Sequence, residues 1–267
     1  MTRLITDWIA DIEHNIRDWE EDLKRKTGLS YAGLAAKVGG CSAGDIACAA
    51  REAKVAAVPV TSGLGVIGSF AQSVAAVTGA MGFQSFVTVR TDVDGLHEAY
   101  ERGADIVYMA DDRRFISFNL RKKRMADNNY ATARGYTEAF EGALKTFAGK
   151  KLLLMGFGVL GKEIMRCLKD KGAEFAVYDI DPEKLASAKE EGADVIESPE
   201  RIREYAYLID ATSQGGWLQR EMLHPDVRIA APGIPLSPDR EALELYGGRI
   251  IHDPLQIGVA AMLGLTI

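Results

Sequence analysis

Only three cysteines stand in the 267 residues, Cys41, Cys48 and Cys167, without a CxxC spacing or a neighbouring histidine. That scarcity excludes a disulfide framework and leaves no closed set of four ligands for a structural metal, so reduced thiols and no metal are expected. Histidine is nearly as rare. His14, His97 and His224 fall on helix faces or in a turn, and His252 alone follows the last expected strand, near an interdomain cleft where an acid or base could act. No Ser-His-Asp arrangement follows from the spacing, and no catalytic residue is assigned. Positive charge is short as well: 32 Lys and Arg face 38 Asp and Glu, a net charge of -6. Such a surface has no broad basic field for a phosphate backbone, which argues against nucleic acid as partner. The one basic run, Arg121 to Arg124, reads as a solvated loop or helix end. Long apolar runs are missing too, and the N-terminal stretch carries acids throughout, so neither a signal peptide nor a membrane span is expected and the chain reads as cytoplasmic.

What is present is average for a globular enzyme, 47% hydrophobic and 26% charged. The length suits one nucleotide-binding domain with a partner domain. Leu4, Ile5, Trp8, Ile9, Ile12, Ile16 and Trp19 recur at helical spacing, predicting one long amphipathic helix that ends near Gly28. Gly33, Gly39, Gly40 and Gly44 then punctuate an Ala-rich region, predicting short helices. From Lys54 the grammar changes to strand, glycine turn and helix: KVAAVPV, TSGLG, VIGSFAQSVAAVTGAMG, then strand FQSFVTVR, helix VDGLHEAYERG and strand ADIVYMA. A helix between Asn128 and Phe147 closes this half. KLLLMG opens a second series of alternating strands and helices. The fold class is therefore α/β: an N-terminal helix plus small α/β substrate-binding domain over 1–147, then a C-terminal Rossmann doubly wound parallel sheet over 148–267. The last helix, IGVAAMLGL, is nearly all apolar and must be buried, against the first domain.

The strongest signal is Gly156, Gly158 and Gly161 in MGFGVLG, because these glycines follow an apolar strand and open a helix. The first makes the tight turn, the second admits a pyrophosphate to the backbone, and the third lets helix and strand approach, while the helix start offers amides through Phe157, Val159 and Leu160. Asp179 ends the next strand, where a carboxylate accepts from ribose hydroxyls and repels a 2'-phosphate; Ile180 rather than Arg follows it. NAD is therefore expected in preference to NADP, with Asp181 as the fallback ligand. ATSQGG and APGIP, carrying Ala211, Thr212, Pro232 and Gly233, follow later strands and should flank the nicotinamide. In TSGLG, Thr61, Ser62, Gly63 and Gly65 form either an anion-binding nest at a helix start or a simple cap by Ser62. Asp111 and Asp112 sit at a strand's carboxyl end, where one would face the cleft and suit a substrate ammonium; the alternative is that both are solvated or paired with Arg113 and Arg114.

Together VPVTSGLGVIGSF, MADDRRF, LMGFGVLG, APGIP and DPLQIGVAAML resemble the PylD family, the dehydrogenases that complete pyrrolysine biosynthesis, from about Val58 to the C-terminus. The Ala-rich stretch from Gly28 to Lys54 departs from the family, whose pattern has Asn where Leu64 and Ser69 stand and Gly where Gln256 stands. The resemblance implies NAD as oxidant and L-lysine-Nε-3-methyl-D-ornithine as substrate. It implies oxidation of the ornithine carbon bearing the terminal amine, then closure of a pyrroline ring by the α-amine with loss of ammonia. It implies that Asp111 holds a substrate ammonium, that Ser62 and Gly63 bind a polar end, that Asn128 adds a contact, and that Leu4 of the first helix covers the site. A homodimer is compatible with this layout. The alternatives are a dehydrogenase of another amino acid or cyclic imine, and a non-catalytic NAD-sensing protein.

Overall fold

A computed structural model describes residues 4–267, which divide into two compact units: one runs up to Glu138 and takes in Pro254–Ile267, and the other is Ala139–Asp253. The N-terminal amphipathic stretch is two helices, not one: α1 (Thr6–Ile9) and α2 (Ile12–Thr27). A continuous helix would give the Ile9 carbonyl to the amide four residues on. Here the buried Ser73 hydroxyl donates to it at 3.1 Å, and the chain turns at Ala10 and Asp11. Gly28, at φ 77°, ends α2 where the sequence placed its end. In α3 (Tyr31–Gly39) the Ser30 hydroxyl accepts from the Gly33 amide, and α4 (Ala43–Glu52) starts on a reciprocal Ser42–Asp45 capping box.

The first unit continues with β1 (Lys54–Val58), α5 (Phe70–Ala80), β2 (Gln84–Val87), α6 (Asp92–Glu101), β3 (Ile106–Ala110), β4 (Phe115–Asn119), β5 (Arg124–Asp127) and α7 (Asn128–Leu144). Its sheet runs β2-β1-β3-β4-β5, with β1 parallel to β2 and β3 and the last two strands antiparallel. The residue spacing does not announce the β4–β5 hairpin. Its turn is the basic run: Asn119 Oδ1 accepts from the amides of Arg121 and Lys122, Lys123 adopts φ 53°, and the guanidinium of Arg121 pairs with Asp105 at 2.6 Å.

The second unit holds β6 (Lys151–Met155), α8 (Val159–Asp170), β7 (Glu174–Tyr178), α9 (Pro182–Glu190), β8 (Asp194–Val195), β9 (Tyr207–Asp210), β10 (Arg228–Ala230), α10 (Arg240–Tyr246) and β11 (Ile250–Ile251). All six strands are parallel, in the order β11-β10-β9-β6-β7-β8. The order reverses direction between β6 and β9, and in such sheets ligands bind at the carboxyl ends beside that switch point. Leu153, Met155, Leu208, Leu218 and Ile229 belong to the unit's core.

The last helix, α11 (Gln256–Thr266), departs from the expected domain limits. Residues 148–267 were assigned to the second domain, but the chain from Pro254 belongs with the first unit, and the division falls within α7 instead of after it. Glycine contacts explain why. A Cβ on Gly264 would lie 2.1 Å from the Ala35 carbonyl oxygen, and one on Gly39 would lie 2.4 Å from that of Gly264, so α3 and α11 meet backbone to backbone. Tyr108 Oη and Asn119 Nδ2 donate to the carbonyls of Val259 and Thr266. Among the described residues no helix is long and apolar enough to cross a membrane.

Candidate active site

The glycine turn after β6 is built without side chains. Gly156 adopts φ 88°, and a Cβ there would lie 2.8 Å from the Ala211 carbonyl, so this position needs glycine on both counts. A Cβ on Gly161 would sit 2.0 Å from the Gly156 oxygen, which brings the first turn of α8 down onto the strand end. Gly158 is different: a Cβ there would meet nothing within 4 Å. That open space above the start of a helix is what a pyrophosphate requires, and Val159 and Leu160 begin α8 beside it, Val159 exposed and Leu160 half-buried.

Asp179 lies just beyond β7 and is almost fully buried. Its Oδ2 accepts from the Phe157 amide at 2.7 Å and its Oδ1 from the Asp181 amide at 2.9 Å, while the Lys184 ammonium stands 3.8 Å away. The carboxylate thereby fastens the glycine turn to the end of the neighbouring strand. Asp181, the fallback ligand, caps α9 by accepting from the Glu183 amide. The loops after β9 and β10 converge on the same place. The Gly233 amide donates to the Asp210 carbonyl at 2.9 Å, and a Cβ on Gly233 would lie 2.1 Å from the Thr212 oxygen. Gly156, Ala211, Thr212 and Gly233 are thus brought together, with Pro232 buried next to them. His252 Nδ1 lies 2.7 Å from the Ala231 carbonyl, which ties it to the end of β10.

In the first unit the TSGLG loop does not open a helix. α5 begins at Phe70, with Ser69 at its N-cap at φ 64°, so Ser62 caps nothing there. The loop is held from both sides by carboxylates. Asp92 accepts from the Thr61 amide at 2.8 Å and the Thr61 hydroxyl at 2.6 Å, and Asp112 accepts from the Leu64 amide at 2.6 Å. Asp112 presses so closely on Gly63 that a Cβ there would overlap its Oδ2 at 2.0 Å. Ser62 stands exposed between these two tethers.

Asp111 makes a different use of its carboxylate: Oδ1 accepts from the amides of Arg113 and Arg114 at 2.8 and 2.7 Å. The Arg114 and Arg113 amides, and then the charges of the same two side chains, hold its carboxyl below the ordinary aspartate range, which favours the anion. These bonds engage Oδ1, and the charges of Arg113 and Arg114 also act on the carboxylate, as the alternative of pairing with those two residues expected. Asn128 begins α7, where its Oδ1 accepts from the Thr132 hydroxyl and lies 2.9 Å from where a Gly258 Cβ would be. Leu4 is half-buried and precedes α1 instead of lying on it. The spacing of charges in TDVDG and MADDR did not reveal Asp92 and Asp112 as tethers. Residues 31 and 48 apart in sequence meet only through the topology of the sheet.

A parallel sheet wound in this order, with a glycine turn, a helix start beside open space and a carboxylate at the second strand's end, defines a nicotinamide-dependent oxidoreductase. Residues 151–212 match the model described as the NAD binding domain of 6-phosphogluconate dehydrogenase, and residues 9–126 match that of the pyrrolysine biosynthesis protein PylD, N-terminal domain. Two curated relatives, both named pyrrolysine synthase, come from Methanosarcina acetivorans (33% identical, 98% of each chain) and Methanosarcina barkeri (32% identical, 98% of this chain and 97% of the relative). A solved 5,10-methylenetetrahydrofolate dehydrogenase from the silkworm Bombyx mori shares the fold, with a TM-score of 0.53 at 16% identity over 99% of this chain and 95% of that one. The chain belongs to the pyrrolysine synthase family. The match from residue 9 carries the likeness through α2, α3 and α4, well before Val58 where the motifs alone placed its start.

Proposed function

We propose that this chain oxidises L-lysine-Nε-3-methyl-D-ornithine with NAD and closes the pyrroline ring of pyrrolysine. The observation that carries the cofactor half is the open approach at Gly158 beside a buried Asp179 whose carboxylate disfavours a 2'-phosphate. The nicotinamide dinucleotide, when bound, supplies the hydride acceptor. Gly156, Phe157, Gly158, Val159, Leu160 and Gly161 would cradle its pyrophosphate, Asp179 its ribose, and Ala211, Thr212, Pro232 and Gly233 its nicotinamide end.

In the first unit Asp111 is the anchor for a substrate ammonium. Its carboxylate is held ionised by the Arg114 and Arg113 amides, and Oδ2 would take the ammonium. Ser62 and Gly63 would receive a polar end of the substrate and Asn128 a further contact, with Leu4 as cover. Loss of hydride from the carbon bearing the terminal amine, with loss of a proton from that nitrogen, leaves a C=N bond. The α-amine attacks this carbon, ammonia departs, and proton loss completes the cyclic imine. Positioning and electrostatics are the protein's contribution.

The test is NADH formation by purified protein with this substrate, beside lysine and ornithine as controls, with product mass recorded. A pyrroline product with NADH supports the reading. NADH from a simpler amine and none from the acylated lysine would retain the cofactor site and replace the substrate.

A further inference from the structure

Asp210 ends β9, the strand paired with β6 at the switch point, and its side chain is wholly enclosed. Four oxygens form a ring here. Thr212 Oγ1 lies 2.7 Å from Asp210 Oδ1, Ser237 Oγ lies 2.5 Å from Asp210 Oδ2, and the two hydroxyl oxygens lie 2.7 Å from each other. Three contacts of hydrogen-bond length need three protons. Two hydroxyls supply two. Were Asp210 ionised, both would point at its oxygens, and the Thr212–Ser237 contact would set lone pairs against lone pairs.

We propose that Asp210 is kept as a neutral carboxylic acid whose proton completes this ring, and that the ring fastens the loop after β9 to the loop after β10 for the nicotinamide dinucleotide. In one sense around the ring, Oδ2–H donates to Ser237, Ser237 to Thr212, and Thr212 to Oδ1, so every oxygen is satisfied. The surroundings agree. Burial pushes the Asp210 carboxyl above the ordinary aspartate value, against the lowering effect of the hydroxyls and backbone amides of Ser237 and Thr212, and no charged side chain acts on it. The perturbed aspartates elsewhere, Asp45, Asp92 and Asp111, shift the opposite way. A neutral acid avoids the cost of an unpaired buried charge while keeping a rigid bridge between two loops. Asp210 is on this account a positioning residue, and its second role rests on the reading that these loops flank the cofactor.

Full-length wild type and Asp210→Asn are compared by thermal unfolding across pH. The folded protein holds a proton that the unfolded chain releases above the free-carboxyl value of 3.8, so wild type should lose stability relative to Asp210→Asn as pH rises from there. A constant difference, or one of opposite slope, would overturn the neutral acid. If Asp210→Asn fails to fold, infrared spectra of wild type with 13C-labelled aspartate decide: a protonated-carboxyl band persisting at neutral pH supports the proposal, and its absence overturns it. For positioning, NAD affinity should fall roughly tenfold in Asp210→Ala and Ser237→Ala but stay within about threefold in Asp210→Asn. Wild-type affinity in both alanine variants would overturn the positioning role. Gly158→Val separates the two readings, because unchanged NAD binding in that variant would remove the cofactor site itself and leave the protonation result standing.

Discussion

After β6 the chain turns through Gly156, Phe157 and Gly158 and is already in α8, whereas after β1 it wanders from Pro59 to Ser69 before α5 begins. Both loops leave the first strand of their unit at its carboxyl end, but they are made rigid by different means. The first is shaped by what its glycines lack: side chains at 156 and 161 would collide with backbone. The second is shaped by what other segments bring to it, the carboxylates of Asp92 and Asp112. A loop of bare amides suits a ligand whose phosphates are the same in every dinucleotide enzyme. A tethered loop leaves its side chains to suit one substrate.

The difference can be broken most severely at Gly158. Its φ of -79° is ordinary and its surroundings are open, so Gly158→Val should unfold at the wild-type temperature yet bind NAD on the order of 100-fold more weakly, about 2.8 kcal/mol by calorimetry. Loss of stability in place of loss of binding would mean that the space belongs to the fold. Asp179→Ala comes next: on the proposed reading the carboxylate would accept from the ribose and repel a 2'-phosphate, so NAD affinity should drop roughly tenfold while NADP affinity changes much less. Equal losses in a paired titration would remove the cofactor preference.

In the first unit Asp112→Asn and Asp92→Asn should each raise the KM for substrate several-fold and leave NAD affinity unchanged, since an amide keeps one acceptor but loses the charge that holds the loop amides. A kcat loss at constant KM would contradict a positioning role. Asp111, held below the ordinary aspartate value by the Arg114 and Arg113 amides, adds a pH prediction. A carboxylate whose folded value is depressed acts fully above its unfolded value and is lost as pH falls through the folded one, so the acid limit of substrate binding should lie below 3.8. Smallest is Ser42→Ala, which removes one half of an exposed capping box at the start of α4 and should cost about 1 kcal/mol in urea unfolding with turnover unchanged.

The same contrast explains what the sequence disclosed. The glycine turn at Gly156, Gly158 and Gly161 and the carboxylate of Asp179 that fastens it were legible because the unit is local: strand, turn, helix and the next strand end follow one another along the chain. The tethers at Thr61 and Leu64 were not, because Asp92 and Asp112 reach them across the sheet. Nor was the break between α1 and α2, which depends on Ser73 reaching Ile9 from a distant helix. The apolar run of α11 announced burial, and only the paired glycines at 39 and 264 show which helix receives it. The hairpin of β4 and β5 escaped notice because its alternation is short and its turn is a run of charge.

The division of labour between the loops is tested most directly by titrating Asp111→Ala with NAD and with L-lysine-Nε-3-methyl-D-ornithine separately. NAD affinity should equal that of wild type, substrate affinity should fall by at least tenfold, and turnover should be lost with it. Full substrate affinity and full turnover in this variant would contradict the placement of the substrate ammonium, and with it the role assigned to the first unit's loop.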